Sequence, residues 1–237
     1  MRSASLINRL LRLYCGLFTY GVALALMIRA HLGIDPWDVL HQGLAHHLHM
    51  AIGTVTIAVG GLILLLWIPL RQRPGLGTIS NVLLVGLVMN LMLSWLPHLH
   101  QLLPRAVALV TAIPLCALAS GLYIGSSLGP GPRDGLMTGL SRQRGLSIRV
   151  TRAAIEITVL VAGWLLGGDV GIGTLLYAVT IGPLVQVALR LLTVLPHEVQ
   201  EGANATINAS VMAGEFSNDR GGRSLQCEVI APSGPEV

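Results

Sequence analysis

The sequence predicts an all-α membrane protein, a polytopic bundle of transmembrane helices, and three observations support this. Hydrophobic residues make up 53% of the 237-residue chain and charged residues only 11%, against about 25% charged residues in soluble domains. The mean hydropathy is +0.70. The apolar residues also fall into long runs, each near the roughly 20 residues that a helix needs to cross the hydrocarbon core. Because so few charges cannot cover so apolar a core in water, the chain is expected to lie in a lipid bilayer.

Six of these runs are long and apolar enough to be spans. Arg2, Arg9 and Arg12 lie before or at the start of the first run, which is too long for the apolar core of a signal peptide, so a retained helix is predicted. From residue 197 onward the composition turns polar, which predicts a disordered tail over 197–237. The six predicted spans cover residues 11–30, 51–70, 76–97, 105–127, 148–166 and 172–195.

Two further segments, 36–48 and 132–144, are too short to span the membrane. Lengths of about a dozen residues suit re-entrant or interfacial helices. In the first segment Asp35 is expected to be the helix N-cap, Pro36 the first helical residue and Asp38 the third. The same three places in the second segment are held by Gly131, Pro132 and Asp134.

These segments belong to a sequence repeat. LGIDPWDVLHQGL, from Leu32, aligns without gaps with LGPGPRDGLMTGL, from Leu128, and the separation is constant (134 − 38 = 96). We infer an internal duplication, with residues 1–100 as the first half and 101–196 as the second. The repeated glycines and prolines are expected to shape turns and close helix contacts. They are Gly33, Pro36, Gly43, Gly75 and Gly77, matched by Gly129, Pro132, Gly139, Gly171 and Gly173.

The number of spans and the arginines predict that the two halves are inverted. Each half holds three predicted spans, an odd number, so the second half would enter the membrane from the opposite side. Arg71 and Arg73 in a connector of the first half correspond to Gly167 and Asp169 in the second. The positive-inside rule predicts this asymmetry for oppositely oriented copies, with both termini in the cytoplasm.

Inverted repeats are typical of secondary transporters, whose sites lie where the two copies meet. Carboxylates at membrane depth are costly to retain without a partner or a task. Asp38 and Asp134 are therefore helix caps, or acidic groups of a cavity that binds a cation, a proton or a solute, and both interpretations can hold together. Arg29 is expected to reach the interface or to pair with Asp35 or Asp38. The candidate binding residues are Asp38, Asp134, Asp35, Asn90 and Gln186.

Other polar residues have structural interpretations. Asn90 and Gln186 are counterparts on the third and sixth spans, and we expect them to hydrogen-bond between helices or to line a polar path. Glu156 lies one turn after Arg152, the spacing of an i,i+4 ion pair. The histidines around His41 do not share one helix face, so no metal site is predicted. No catalytic or cofactor motif is found in the sequence, so neither enzymatic activity nor a cofactor is predicted.

Two longer stretches resemble a known family of bacterial membrane proteins. GLFTYGVALALMIRAHLGIDPWDVLHQGL, from Gly16, and IGTVTIAVGGLILLLWIPLRQRPGLGT, from Ile52, are similar to the YczE/YitT-like integral membrane proteins. The resemblance covers about residues 12–195 and implies a multi-pass protein of the bacterial inner membrane. It carries over no catalytic residues, because the family has no settled biochemical activity.

The leading functional hypothesis is a small-solute or ion transporter with its site between Asp38 and Asp134. The alternatives are a non-transporting scaffold for partner enzymes and an intramembrane enzyme that acts on a lipid. A polar cavity shared by the two carboxylates would favour transport, and a dry, closed centre would favour a scaffold. Convergent titratable groups open to one leaflet would favour an enzyme. The expected partners are the bilayer and a small solute or ion, with a second copy or another membrane protein left open. No nucleic acid is expected, because the arginines flank apolar runs.

Overall fold

The computed structural model describes residues 6–192, which form eight α-helices and contain no β-strand. The predicted all-α class is confirmed for this part of the chain, while the tail predicted over 197–237 lies outside the described residues. Each helix of the second half begins 96 positions after its counterpart in the first. The helices are α1 (Leu6–Ala30), α2 (Pro36–Leu48), α3 (Ile52–Trp67), α4 (Leu76–Trp95), α5 (Leu102–Gly125), α6 (Pro132–Arg144), α7 (Ile148–Leu165) and α8 (Ile172–Leu192).

Four of the described helices, α1, α4, α5 and α8, are long and apolar enough to cross a membrane. Helices α2 and α3 meet that requirement only together, as a pair bent by 113°, which gives up to five spans. Helix α3 has 16 residues and rises about 24 Å, less than the roughly 30 Å of a hydrocarbon core. Helix α7 is not among the four, and it carries three charged residues, Arg149, Arg152 and Glu156. The count of six spans therefore stays a prediction.

The outward faces of the helices are apolar. Leu165, Ile172 and Leu191 are 75%, 72% and 78% exposed, and many other large apolar side chains share this environment. A continuous apolar surface of this kind is unfavourable in water but is matched by lipid tails. The prediction of a membrane-embedded protein is confirmed.

Helices α1 and α5 pack antiparallel at the centre of the bundle. Arg9, near the start of α1, donates hydrogen bonds of 2.9 and 2.8 Å to the carbonyl oxygens of residues 126–127, just after α5. Arg105, near the start of α5, donates to the carbonyl oxygens of residues 30–31, at the end of α1. Because Arg105 is 96 positions after Arg9, the two contacts are reciprocal.

Backbone hydrogen bonds join the halves in the same reciprocal manner. The N–H of Gly77, at the start of α4, donates to the carbonyl of Leu128 over 2.9 Å. The N–H of Gly173, at the start of α8, donates to the carbonyl of Leu32 over 2.8 Å. Each half therefore holds the turn that precedes the short helix of the other.

These exchanged contacts require glycine. Gly33 and Gly129, which follow the two accepting residues, have φ angles of +107° and +133°, a region that only glycine enters without strain. A Cβ on Gly33 would lie 2.7 Å from the backbone nitrogen of Gly171, and one on Gly75 would lie 2.5 Å from the carbonyl oxygen of Leu128. The backbones approach too closely for any side chain.

The short helices α2 and α6 have the predicted bounds, and each packs against a helix of the opposite half. Helix α2 lies on α7, and α6 lies on α3. Asp35 is the N-cap of α2, and Gly131 is the N-cap of α6. Pro36 and Pro132, the first residues of the two helices, both line one central cavity.

Candidate functional site

A cavity of about 260 Å³ lies between the two halves, where α2 and α6 begin. Its wall also takes residues from α1, α3, α4, α5, α7 and α8. A polar lining is unusual inside a membrane bundle, where ionisable groups mark ion or substrate paths. Its titratable lining residues are Tyr20, Asp35, His41, Tyr123, Arg133, Asp134, Arg152, Glu156 and Tyr177.

Two buried carboxylates of the first half share one arginine of the second. Asp35 and Asp38 are each 1% exposed. Arg133 Nη1 lies 3.0 Å from Asp35 Oδ2, and Arg133 Nη2 lies 3.5 Å from Asp38 Oδ1. The guanidinium also stacks over the ring of Trp37, 5.3 Å from its centroid. Asp35 Oδ1 meanwhile accepts a 2.7 Å hydrogen bond from the backbone N–H of Asp38, so it caps α2 as well.

His41 extends this cluster by one helical turn. Its Nδ1 lies 2.9 Å from Asp38 Oδ1 and 3.2 Å from Thr56 Oγ1. Because a carboxylate only accepts hydrogen bonds, Nδ1 carries a proton, and in the tautomer with its single proton on Nδ1 the other nitrogen, Nε2, is an acceptor. Nε2 is buried and has no partner among the described residues. The side chain lines the cavity.

The second half contributes a different set of acidic groups. Asp134 Oδ2 accepts a hydrogen bond of 3.1 Å from the hydroxyl of Tyr123. Within residues 6–192, no basic side chain lies within ion-pair distance of Asp134. Glu156 forms the expected i,i+4 ion pair with Arg152, at 2.9 Å between Oε1 and Nε. The two halves are therefore chemically unequal around their common cavity.

The charges around the cavity do not balance. Asp35, Asp38, Asp134 and Glu156 supply four carboxylates, and Arg133 and Arg152 supply two guanidinium groups. The carboxylates therefore outnumber the guanidinium groups by two. The cavity is therefore electrostatically complementary to a cation.

The predicted binding residues fall into three groups. Asp35, Asp134 and Gln186 line the cavity. Asp38 is not among the lining residues, but it is joined to the cavity wall through Arg133 and His41. Asn90 lies elsewhere, between α3 and α4.

Asn90 has the interhelical hydrogen bonds that were expected of it. Its Oδ1 accepts from the backbone N–H of Gly53 over 2.8 Å, and its Nδ2 donates to Thr54 Oγ1 over 3.2 Å. These bonds fix α3 to α4.

Of the two alternatives expected for Arg29, the pairing with Asp35 or Asp38 is wrong. Arg29 instead contacts the His98 ring, with 2.8 Å between Nη1 and Nδ1, and donates to the carbonyl of Leu93. Arg133 takes the place beside the two carboxylates, and sequence reasoning did not identify it as a site residue. One signal was present: at the repeat position of Trp37, next to a Pro and an Asp, the second half has an arginine.

The cavity wall is closed in the first half and open in the second. Helix α3 packs along α4, with Gly53 and Gly86 so close that neither position has room for a Cβ. Helix α7 does not pack along α8 in this way, and a Cβ on Gly182, the counterpart of Gly86, would meet no atom within 4 Å.

A second cavity of about 210 Å³ occupies this gap between α7 and α8. It shares Pro36, Arg152, Glu156 and Tyr177 with the central cavity. The two cavities therefore adjoin at the Arg152–Glu156 ion pair, on the side of the bundle that α7 and α8 form.

Comparisons with known proteins find relatives of uncharacterised function. Residues 7–190 match the family described as a family of unknown function, DUF6198. An uncharacterized protein of Haemophilus influenzae is 38% identical over 75% of this chain and 81% of its own length. The uncharacterized membrane protein YczE of Bacillus subtilis is 31% identical over 73% of this chain and 80% of its own length. These matches confirm the resemblance to YczE-like proteins, and no solved structure matches the chain significantly.

Proposed function

The chain belongs to DUF6198, a family of unknown function, and from its charged central cavity we propose that it is a small-solute or ion transporter of the bacterial inner membrane. The observation that carries the proposal is the cavity itself. It lies where the two halves meet, and opposite charges from both halves line it. A protein that only held other proteins in place would not need charged groups buried around a cavity, because each buried charge lowers stability unless it is well paired.

The proposal takes the two halves to be inverted repeats. The antiparallel packing of α1 and α5 and the reciprocal contacts of Arg9 and Arg105 support this arrangement. So do the exchanged turns at Leu32 and Leu128. With the arginine-rich connectors on the cytoplasmic side, both termini lie in the cytoplasm. Alternating access would then follow from rocking one half against the other around the cavity.

The site in this proposal differs in detail from a symmetric pair of carboxylates. Asp134 faces the cavity, whereas Asp38 acts behind the wall by holding Arg133 and His41 in place. Asp134 therefore binds the solute or ion directly, and Asp38 is a positioning residue. Gln186 adds a neutral polar group to the same wall.

A comparison of metabolites inside and outside cells tests transport for a substrate of any identity. Cells that produce the native protein should differ from cells without it in the distribution of at least one solute across the membrane. Asp134→Asn should abolish that difference, because it removes the carboxylate that faces the cavity.

Asp169→Asn is the matched control. Asp169 is half-exposed, lies outside the cavity and bonds to Gln42 and His31. This variant should keep the native distribution. If Asp134→Asn, at normal abundance in the membrane, leaves the distribution unchanged, the carboxylate is not part of a transport site.

The alternative is a membrane scaffold or accessory protein for partner enzymes. Under this alternative, cells that lack the gene should show a phenotype, and the Asp134→Asn variant should restore them fully. A binding surface on the outside of the bundle would not depend on a carboxylate in the cavity. Transport predicts that the same variant fails to rescue.

A further inference from the structure

The central cavity has features that point to the class of its ligand. We propose that it binds a small organic ammonium ion, which enters between α7 and α8; this deepens the proposed function and rests on it. Three independent observations support the proposal: the uncompensated negative charge, two buried polar atoms without partners, and the opening in one wall.

The negative charge selects for a cation. One unit of the surplus lies at Asp134, which has no guanidinium within ion-pair distance among the described residues. The other is shared by Asp35 and Asp38, because Arg133 offsets only one of them, while Arg152 pairs with Glu156. In a space screened from water, a counter-charge stabilises such a surplus. The aromatic rings of Tyr20, Tyr123 and Tyr177 line the same space, and aromatic faces attract organic cations.

The unpartnered atoms select for a ligand with both a donor and an acceptor. His41 Nε2 and Trp37 Nε1 are buried without partners among the described residues, and both side chains line the cavity. Native structures leave few buried polar groups unsatisfied, so each one calls for a partner. The lone pair of His41 Nε2 matches an N–H of an ammonium group. The indole N–H of Trp37 matches an oxygen acceptor on the same ligand, as in an amino alcohol.

The entrance explains how such a ligand reaches the cavity. The second cavity, beside Gly182, adjoins the central cavity between α7 and α8, whereas the equivalent place beside Gly86 is filled. Arg152 and Glu156 line the passage, 52% and 32% exposed respectively. An ammonium ion passing through can exchange one carboxylate partner for the next, from Glu156 to Asp134.

Binding is tested on the purified full-length protein in detergent, with ethanolamine as the probe and ethylene glycol as its neutral counterpart. Ethanolamine should give a saturable rise in melting temperature and a saturable calorimetric signal, and ethylene glycol should give neither. Asp134→Asn should weaken ethanolamine binding at least about tenfold, because it leaves the ammonium group without its carboxylate partner. The control Asp169→Asn should bind ethanolamine like the native protein.

A second variant covers the case in which Asp134→Asn does not fold. Glu156→Gln removes a half-buried carboxylate at the passage and should also weaken binding. Equal responses to ethanolamine and ethylene glycol, no saturable response at all, or native affinity in both variants would overturn the ligand class.

The ammonium group could come from a free solute or from a lipid headgroup, since the passage opens through the side of the bundle. Lipid nanodiscs separate the two sources. If free ethanolamine binds equally in discs of phosphatidylglycerol and of phosphatidylethanolamine, the solute is the ligand. If phosphatidylethanolamine suppresses its binding, the headgroup occupies the same site. Either pattern supports an ammonium site and identifies its source.

Failure of the ligand class is distinct from failure of the transport proposal. A solute distribution that depends on Asp134, together with no ethanolamine binding, leaves the transporter and rejects the ammonium ligand. Saturable ethanolamine binding without any change in solute distribution keeps the binding site and rejects transport.

Discussion

Arg133 should contribute strongly to the stability of the bundle. It pairs with both Asp35 and Asp38, which are each only 1% exposed. Removing one partner of a buried ion pair typically destabilises a protein by about 3–5 kcal/mol, because a charge is left buried without compensation. Arg133→Met keeps much of the volume but leaves two carboxylates 3.0 and 3.5 Å from the lost guanidinium nitrogens. The free energy of unfolding should therefore fall by at least about 3 kcal/mol.

Arg152→Met is the matched control for this prediction. Arg152 also lines the cavity, but its side chain is 52% exposed, and within residues 6–192 its one ion-pair partner is Glu156. An exposed i,i+4 pair contributes about 0.3–0.5 kcal/mol, so this variant should lose less than about 1 kcal/mol. Both variants can be compared by titrating the protein with SDS in mixed micelles and following its helical circular dichroism.

A double variant separates loss of charge pairing from loss of packing. Arg133→Met leaves two carboxylates without their guanidinium partner, and Asp35→Asn removes the charge of one of them. The double variant should therefore be more stable than Arg133→Met alone. The reasoning is refuted if Arg133→Met is no less stable than Arg152→Met. It is also refuted if the added Asp35→Asn lowers the stability of Arg133→Met further.

Two pairs of glycine variants test the packing of the halves. Gly86→Leu should prevent stable folding because α3 leaves no space there. Gly182→Leu should keep the native melting temperature, and it should lower the affinity for ethanolamine by obstructing the passage. Equal melting temperatures for the two variants would refute the asymmetry between the walls. Gly33→Ala should lower the stability by more than about 1 kcal/mol, because φ is +107° and the new Cβ would lie 2.7 Å from the backbone nitrogen of Gly171. Gly61→Ala, in α3 with no atom within 4 Å of the new Cβ, should instead stabilise the helix by up to about 1 kcal/mol; chemical unfolding of both variants measures the difference.

Much of the architecture is predictable because the repeat preserves residues with restricted geometry. The Pro residues at positions 36 and 132 set the starts of α2 and α6, and glycines with positive φ occupy equivalent turns. These constraints are local, so the sequence alone expresses them. The ion pair of Arg152 with Glu156 was predictable for the same reason, since its partners lie one turn apart.

The composition of the site was less predictable because it depends on contacts between the halves. Arg133 and Asp35 are 98 positions apart, and only the reciprocal packing of the halves brings them to 3.0 Å. The repeat suggests equal roles for Asp38 and Asp134, yet only Asp134 lines the cavity. The difference comes from His41, which bonds Asp38 in the first half, where the second half has Met137.

The inversion of the two halves is tested most directly by the accessibility of His49→Cys and Gly145→Cys. These exposed positions end α2 and α6, both with positive φ, and are introduced into a chain whose cysteines at 15, 116 and 227 are replaced. A thiol reagent that does not cross membranes should label His49→Cys in intact spheroplasts. It should label Gly145→Cys only after the membrane is permeabilised. Labelling of both positions from the same side would contradict inverted halves and, with them, a transport site between the two.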